Sequence, residues 1–263
     1  MTDGSCPHAG GCVDGLSTLR RLKSLEWEGI QHTSEVATLR RCIQQNRTQL
    51  SHLALSFAVY TECFDFCYDI FELSDVEIQS PEELIPYAAP SPFPCLSSVS
   101  LSKAILPRKL RPEHLSLFSS LSSLKLRDCA NQLSFLKSLC NAQKIQLETF
   151  EFCYDSNIHR RDEYKEVQPV VDFLLSFKGL RHLHLKLANV SGTKHIKDGI
   201  QQHHSTLESL VYHERTLAAI DSEGIFEETR DDTAVWVSDL SIIANSPQTT
   251  ALALCTTPSI LVS

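Results

Sequence analysis

Glycine is scarce, with nine residues in 263. No GxxxxGK[ST] and no GxGxxG occurs, so the usual Gly-rich phosphate cradles are excluded. His-Glu-x-x-His and Gly-x-Ser-x-Gly are also missing, and with them two common hydrolase signatures. Cations are in deficit: 24 Lys and Arg stand against 32 Asp and Glu, a net charge of −8. That balance argues against a nucleic-acid binder held by a basic face. No apolar run approaches the roughly 18 residues needed to cross a bilayer. The first fifteen residues, MTDGSCPHAGGCVDG, have neither a basic n-region nor an apolar h-region, so they do not read as a secretory signal.

What is present is a globular composition, 42% apolar and 21% charged. Ten cysteines are many for a chain with no secretion signal, and reduced thiols in the cytosol or nucleus are the expectation. Most should pack as small hydrophobes. Cys6-Pro-His8 with Cys12, and Cys63-x-x-x-Cys67, lack a second ligand pair at metal spacing. No metal and no cofactor is expected. The Asn-x-Ser/Thr triplets at Asn46 and Asn189 read as chance.

A pattern Leu-x-x-Leu-x-Leu recurs along the chain. It runs Leu22-Leu25-Trp27, Leu50-Leu53-Leu55, Leu96-Val99-Leu101, Leu121-Leu124-Leu126, Leu147-Phe150-Phe152, Leu180-Leu183-Leu185 and Leu207-Leu210-Tyr212. Start to start the spacings are 28, 46, 25, 26, 33 and 27 residues. The last two key positions are two apart and so share one face of a short strand. One such unit cannot bury that face alone, whereas stacked units form a parallel sheet with a continuous core. The segments between carry helical spacing. Val36, Leu39 and Ile43 make one apolar stripe, with Ser34 as expected N-cap; Val167, Val170, Val171, Leu174 and Leu175 make another, with Pro169 near its start and Gly179 past its end. Pro112 opens a turn with Leu115 and Phe118; Leu133, Leu136 and Cys140 line the next; Ile196 and Ile200 serve the last, where Gly199 weakens the helix.

These features predict an α/β leucine-rich-repeat solenoid, horseshoe-like, with short parallel strands on the concave face and helices or irregular turns on the convex face. The competing reading is an ordinary α/β domain of alternating strands and helices. The expected organisation is a flexible leader over 1–15 and about seven repeats over 16–213, with an insertion at 58–94. A C-terminal region follows over 214–263, with an acidic loop at 221–232 and a possible last repeat at 249–258.

Leu22-Lys-Ser-Leu-Glu-Trp-Glu-Gly29, Leu121-Ser-Ser-Leu-Lys-Leu-Arg-Asp-Cys129 and Gly179-Leu-Arg-His-Leu-His-Leu-Lys-Leu187 resemble the irregular leucine-rich repeats of fungal F-box proteins. Cys129 stands where many such repeats place Asn; elsewhere that position falls on Ile30, Ala58, Ala104, Asp155, Ala188 and Arg215, so the turns should be irregular. The resemblance implies a protein-interaction module, the substrate-reading part of a ubiquitin-ligase adaptor, and not an enzyme. It implies a ligase-adaptor partner only if an F-box is present. No segment with the expected Leu-Pro opening is visible before the first repeat; Pro81-Glu-Glu-Leu-Ile-Pro86 is only superficially similar and lies inside the repeat region. A standalone repeat scaffold or inhibitor is the second reading, and an enzyme using a Cys/His pair the third.

Positions alternating with the core ones should face solvent and bind a protein ligand of unknown identity. The candidates are Glu26, Glu28, His52, Ser100, Lys125, Arg127, Glu151, His182, His184, Lys186 and His213. Along the array this face changes from acidic, through Ser-rich, to basic and His-rich. His182, His184 and His213 with Cys153 one strand away carry zinc-compatible donors, but no paired-ligand motif accompanies them.

Overall fold

The computed structural model describes residues 14–58, 93–110, 112–140, 145–156, 166–215 and 248–255. These residues form an α/β structure around one parallel sheet of eight strands in strict sequence order. The strands are β1 (Ser24–Ile30), β2 (His52–Phe57), β3 (Ser98–Ser102), β4 (Ser123–Arg127), β5 (Thr149–Asp155), β6 (His182–Ala188), β7 (Ser209–Arg215) and β8 (Ala251–Cys255). Between them run α1 (Thr33–Asn46), α2 (Pro112–Ser119), α3 (Gln132–Leu139), α4 (Gln168–Leu175) and α5 (Ile196–Gln201). A sheet that grows always in one direction through right-handed crossovers keeps its helices on one side. The arrangement is therefore solenoid-like, with one covered face and one open face. Among the described residues no helix is long and apolar enough to cross a membrane.

Equivalent residues pair at every step. Leu25, Leu53, Val99, Leu124, Phe150, Leu183, Leu210 and Leu252 stand in one row across the sheet; Trp27, Leu55, Leu101, Leu126, Phe152, Leu185, Tyr212 and Leu254 stand in the next. The third key position also packs inward, with Leu50, Leu96, Leu121, Leu147, Leu180 and Leu207 all fully buried. The ends of the array fall short: Leu22 and Trp27 in the first unit are half-buried, and Leu252 on β8 is exposed.

The same backbone bonds recur with the repeat. Just before each strand, one carbonyl accepts two N–H groups from the next unit: Lys23 from Ser51 and His52, Ser51 from Ser97 and Ser98, Ser97 from Ser122 and Ser123, Ser122 from Glu148 and Thr149. Hydroxyls of Ser51, Ser97 and Ser122 donate to those same carbonyls, at 2.9 to 3.1 Å. Before β5, β6 and β7 the charged Glu148, Arg181 and Glu208 replace the serines, and Arg181 bridges to Glu208; before β8 the Thr250 hydroxyl again donates to the Glu208 carbonyl. After the strands, Lys103, Asp128 and Asn189 adopt left-handed backbone, and each N–H donates to the following strand. Cys129 is fully buried and donates its thiol hydrogen to the Leu101 carbonyl, 3.4 Å away.

Several expectations change in detail. The N-cap of α1 is His32, not Ser34, because Glu35 folds back and its carboxylate accepts the N–H groups of Gln31 and His32. Asp14 and Gly15, expected in the leader, belong to a 3-10 turn over Asp14–Thr18 that packs on α1. At the two ends of the segment read as an insertion at 58–94, Ala58 bonds to Ile30 and Phe93 is buried in the core. β2 pairs directly with β3, so no strand intervenes. The array also runs past residue 213: β7 continues to Arg215, and β8 adds an eighth rung within the segment 249–258. The rest of the leader, most of the insertion and the acidic loop 221–232 lie outside the described residues.

Some polar groups are buried inside this core. Asn46 is fully buried and ties the N-terminal turn to α1: it accepts from the Leu22 N–H at 2.9 Å and donates to the carbonyls of Leu19 and Cys42. Its amide is therefore committed to structure. His203 is buried beyond α5, with its ring 5.0 Å from that of Phe177. Nδ1 accepts the Leu180 N–H and Nε2 donates to the Leu174 carbonyl at 2.9 Å, which fixes a neutral ring with its proton on Nε2. Tyr212 donates to the buried carboxylate of Glu214 at 2.6 Å.

Two predictions follow from these contacts. A Cβ built on Gly199 meets the Leu174 Cβ at 2.9 Å, so the residue marks close approach of α5 to α4 rather than a weak helix. Gly199→Ala gains about 1 kcal/mol of helix propensity but overpacks the contact by roughly 1–3 kcal/mol. Its urea midpoint is expected below wild type, and a rise would show that α4 and α5 are not packed this closely. Desolvation holds His203 below its ordinary pKa of 6.5, although its bond to Leu174 works the other way. The unfolded chain therefore takes up the proton first, and stability is lost as pH falls below about 6.5. Wild type should lose more stability between pH 7.5 and 5.5 than His203→Gln does; equal losses would remove His203 from the pH dependence.

Candidate functional site

The open face consists of three rows of side chains set by the sheet register. The first is Ser24, His52, Ser98, Ser123, Thr149, His182 and Ser209; the second is Glu26, Ala54, Ser100, Lys125, Glu151, His184 and Val211. The third is Glu28, Ser56, Ser102, Arg127, Cys153, Lys186 and His213. All eleven candidate residues thus fall on one surface. Period-two alternation puts them there, because they alternate along the strands with the apolar rows that pack inward. No aromatic side chain stands in any of the three rows.

Charge is distributed unevenly. Glu26 and Glu28 are exposed at β1; serine, alanine and His52 occupy β2 and β3; Lys125, Arg127, His182, His184 and Lys186 cluster on β4 to β6. Ser100 and His213 are half-buried within their rows.

Glu151 departs from the solvent-facing position expected for it. It is only 8% exposed, and Cys153 beside it is equally covered. Arg127 on β4 reaches diagonally to Glu151 with both arms of its guanidinium, Nε to Oε1 at 2.6 Å and Nη2 to Oε2 at 2.9 Å. From the other side His184 brings Nδ1 to 3.5 Å from Oε1. Burial alone would raise the Glu151 carboxyl, but the Arg127 bonds, with the charges of Arg127, His184 and Lys125, hold it below its ordinary value. It is a carboxylate, locked by a fork-to-fork pair of the strong bidentate kind. The diagonal relation of Arg127 to Glu151 is set by register, which no single strand of sequence reveals.

Cys153 lies against this carboxylate, with Sγ 3.9 Å from Oε1. Burial and then the Glu151 charge push its thiol up to about 11. Burial likewise pushes Cys140 to about 11 and Cys129 to about 12, and raises Cys42. A nucleophilic cysteine needs the opposite shift. His182, His184 and His213 lie on adjacent strands, yet among the described residues no three His, Cys, Asp or Glu side chains are placed to hold a metal ion.

Residues that the periodicity did not single out include Asn46, His203 and Glu214, all buried and polar. The signal available for them was a polar residue at an otherwise apolar position; Asn46 and His203 bond to partners remote in sequence, and Glu214 to Tyr212 on its own strand. Gln132 is also fully buried, and its amide has no hydrogen-bond partner within the protein; nothing in its surroundings explains that choice.

No protein-family model matches the chain, and no curated protein matches it either.

The thiols give a direct check of the surface. Cys95 is exposed, whereas Cys153 is covered and held protonated. Under native conditions at pH 7.5, iodoacetamide should modify Cys95 well before Cys153, read peptide by peptide by mass spectrometry. Equal rates would show that the Arg127–Glu151–His184 group does not cover the thiol.

Proposed function

We propose that this chain is a leucine-rich-repeat interaction module that binds a protein ligand along the open face of its sheet. It resembles the substrate-reading part of an F-box ubiquitin-ligase adaptor. The observation that carries the reading is the contrast between two registers of the same strands. One register is apolar at every rung and buried from β2 to β7, and the other is mostly polar and outward-facing, closed over at Glu151 and Cys153. The repeat period, the stacked Leu-x-x-Leu-x-Leu positions and the buried Cys129 support the leucine-rich assignment. Solenoids of this type bind partners along a preformed concave surface, where complementarity of shape and charge is enough. No covalent step is assigned, and the raised Cys153 thiol fits that absence.

A photo-crosslinking residue placed at Ser100 samples the open face, and one at Arg41 samples α1 on the covered side. Irradiation in cells of origin is expected to link Ser100, and not Arg41, to a discrete protein. Equal labelling from both positions, or none from Ser100, overturns the proposal. Recovery of the ligase adaptor that F-box proteins bind, in stoichiometric amount with the linked protein, supports the ubiquitin role. A linked partner without the adaptor leaves a standalone scaffold or inhibitor.

A further inference from the structure

We infer that the basic end of the open face, on β4 to β6, docks an acidic segment of the partner, an Asp- or Glu-rich stretch of polypeptide. This rests on the reading of the open face as the binding surface and names the chemistry of its ligand.

The argument begins with which charges are already committed. Glu151 is the one carboxylate among these nine open-face positions, and Arg127 and His184 engage it from either side. Lys125 and Lys186 make no hydrogen bond or ion pair among the described residues. Arg127 keeps its outer surface open, with its side chain 47% exposed despite the pairing. With Arg127 paired to Glu151, Lys125 and Lys186 are the two cations left unbalanced at these nine positions, while Asp128, just past β4, also acts on Cys153.

The geometry favours a carboxylate over a bulkier guest. Arg127, Cys153 and Lys186 share the third row on three successive strands. With strands about 4.8 Å apart, the two cations are roughly 10 Å from each other. Cys153 between them is short and covered by the Arg127–Glu151–His184 group. A carboxylate seated over that group can meet the open side of Arg127 and Lys186. A second, further along an extended peptide, can reach Lys125 on β4, and His182 offers an N–H donor at the rim.

Nucleic acid fits less well. The open face has no aromatic side chain for base stacking, and Glu26 and Glu28 repel a polyanion that runs on toward β1. A short acidic peptide confined to β4–β6 avoids that repulsion.

The probe is a fluorescein-labelled octa-glutamate peptide, followed by anisotropy on the full chain at 50 mM salt. Wild type is expected to bind it, and the exposed Lys186→Glu to weaken binding about tenfold, or 1.4 kcal/mol. Lys125→Gln, which adds no negative charge beside Glu151, should weaken it about threefold. Arg41→Glu on α1 should stay within about twofold, and 0.5 M salt should abolish binding because the Debye length shrinks. Unchanged thermal melts of the variants confirm that they fold. No binding by wild type, equal weakening by Arg41→Glu, or tighter binding of an eight-nucleotide single-stranded DNA overturns the inference. The two readings separate cleanly. A protein cross-linked at Ser100 that octa-glutamate fails to compete away sinks the acidic ligand but leaves the interaction module. An empty Ser100 position sinks the module itself.

Discussion

The whole structure depends on the register of its parallel sheet. Side chains alternate between faces with period two, so a slip of one residue at any strand would turn an entire rung inside out. Here the register repeats from β1 to β8, with one irregularity at the end of β1, between Glu28 and Ile30. The double acceptance by one carbonyl before each strand is what holds it, reinforced by the serine hydroxyls in the first half of the array. Leucine then meets leucine from rung to rung, and burial of these side chains, at about 25 cal/mol per Å² of apolar surface, drives the stacking.

The covered side adapts to what each rung supplies. At β5 the key positions are Phe150 and Phe152 rather than leucines, and α4 answers with Phe173, whose ring centroid lies 5.0 Å from that of Phe150. Phe177 and His203 extend the cluster toward α5. Gly199 lets α5 settle onto Leu174. Larger side chains in one layer are thus accommodated by a smaller one in the next, as close packing requires.

On the open side the same register creates chemistry that no strand possesses alone. Arg127, Glu151 and His184 come from three successive rungs and meet only because those rungs are aligned. Their pairing removes the acid from the basic cluster and stiffens the arginine. Lys125 and Lys186 are left as the uncommitted charges of the face. Cations thus outnumber carboxylates on the outer rows of β4 to β6, although the chain as a whole carries −8.

Most of the fold was legible in the sequence because period and polarity are local properties. Leu121-x-x-Leu124-x-Leu126 already states that a strand turns two leucines to one side, and seven such statements imply a stack. The acidic-to-basic change from Glu26 to Lys186 was legible for the same reason. One detail turned on a local contact, the Glu35 carboxylate that moved the N-cap to His32. The others turned on remote partners: Phe93 entered the core from a segment read as insertion, and Gly199 proved a packing residue. The strand Ala251–Cys255 found its place only by pairing with β7 across a long interval. By itself, then, the sequence determined the repeat, its inward leucines and its polar outer rows, since alternation along a chain needs no partner. Only the tertiary structure decided that Glu151 is buried under Arg127, that Cys153 is covered beside that carboxylate, and that Lys125 and Lys186 are left without an ion-pair partner among the described residues. Those properties arise between strands, where the distance between charges sets their state.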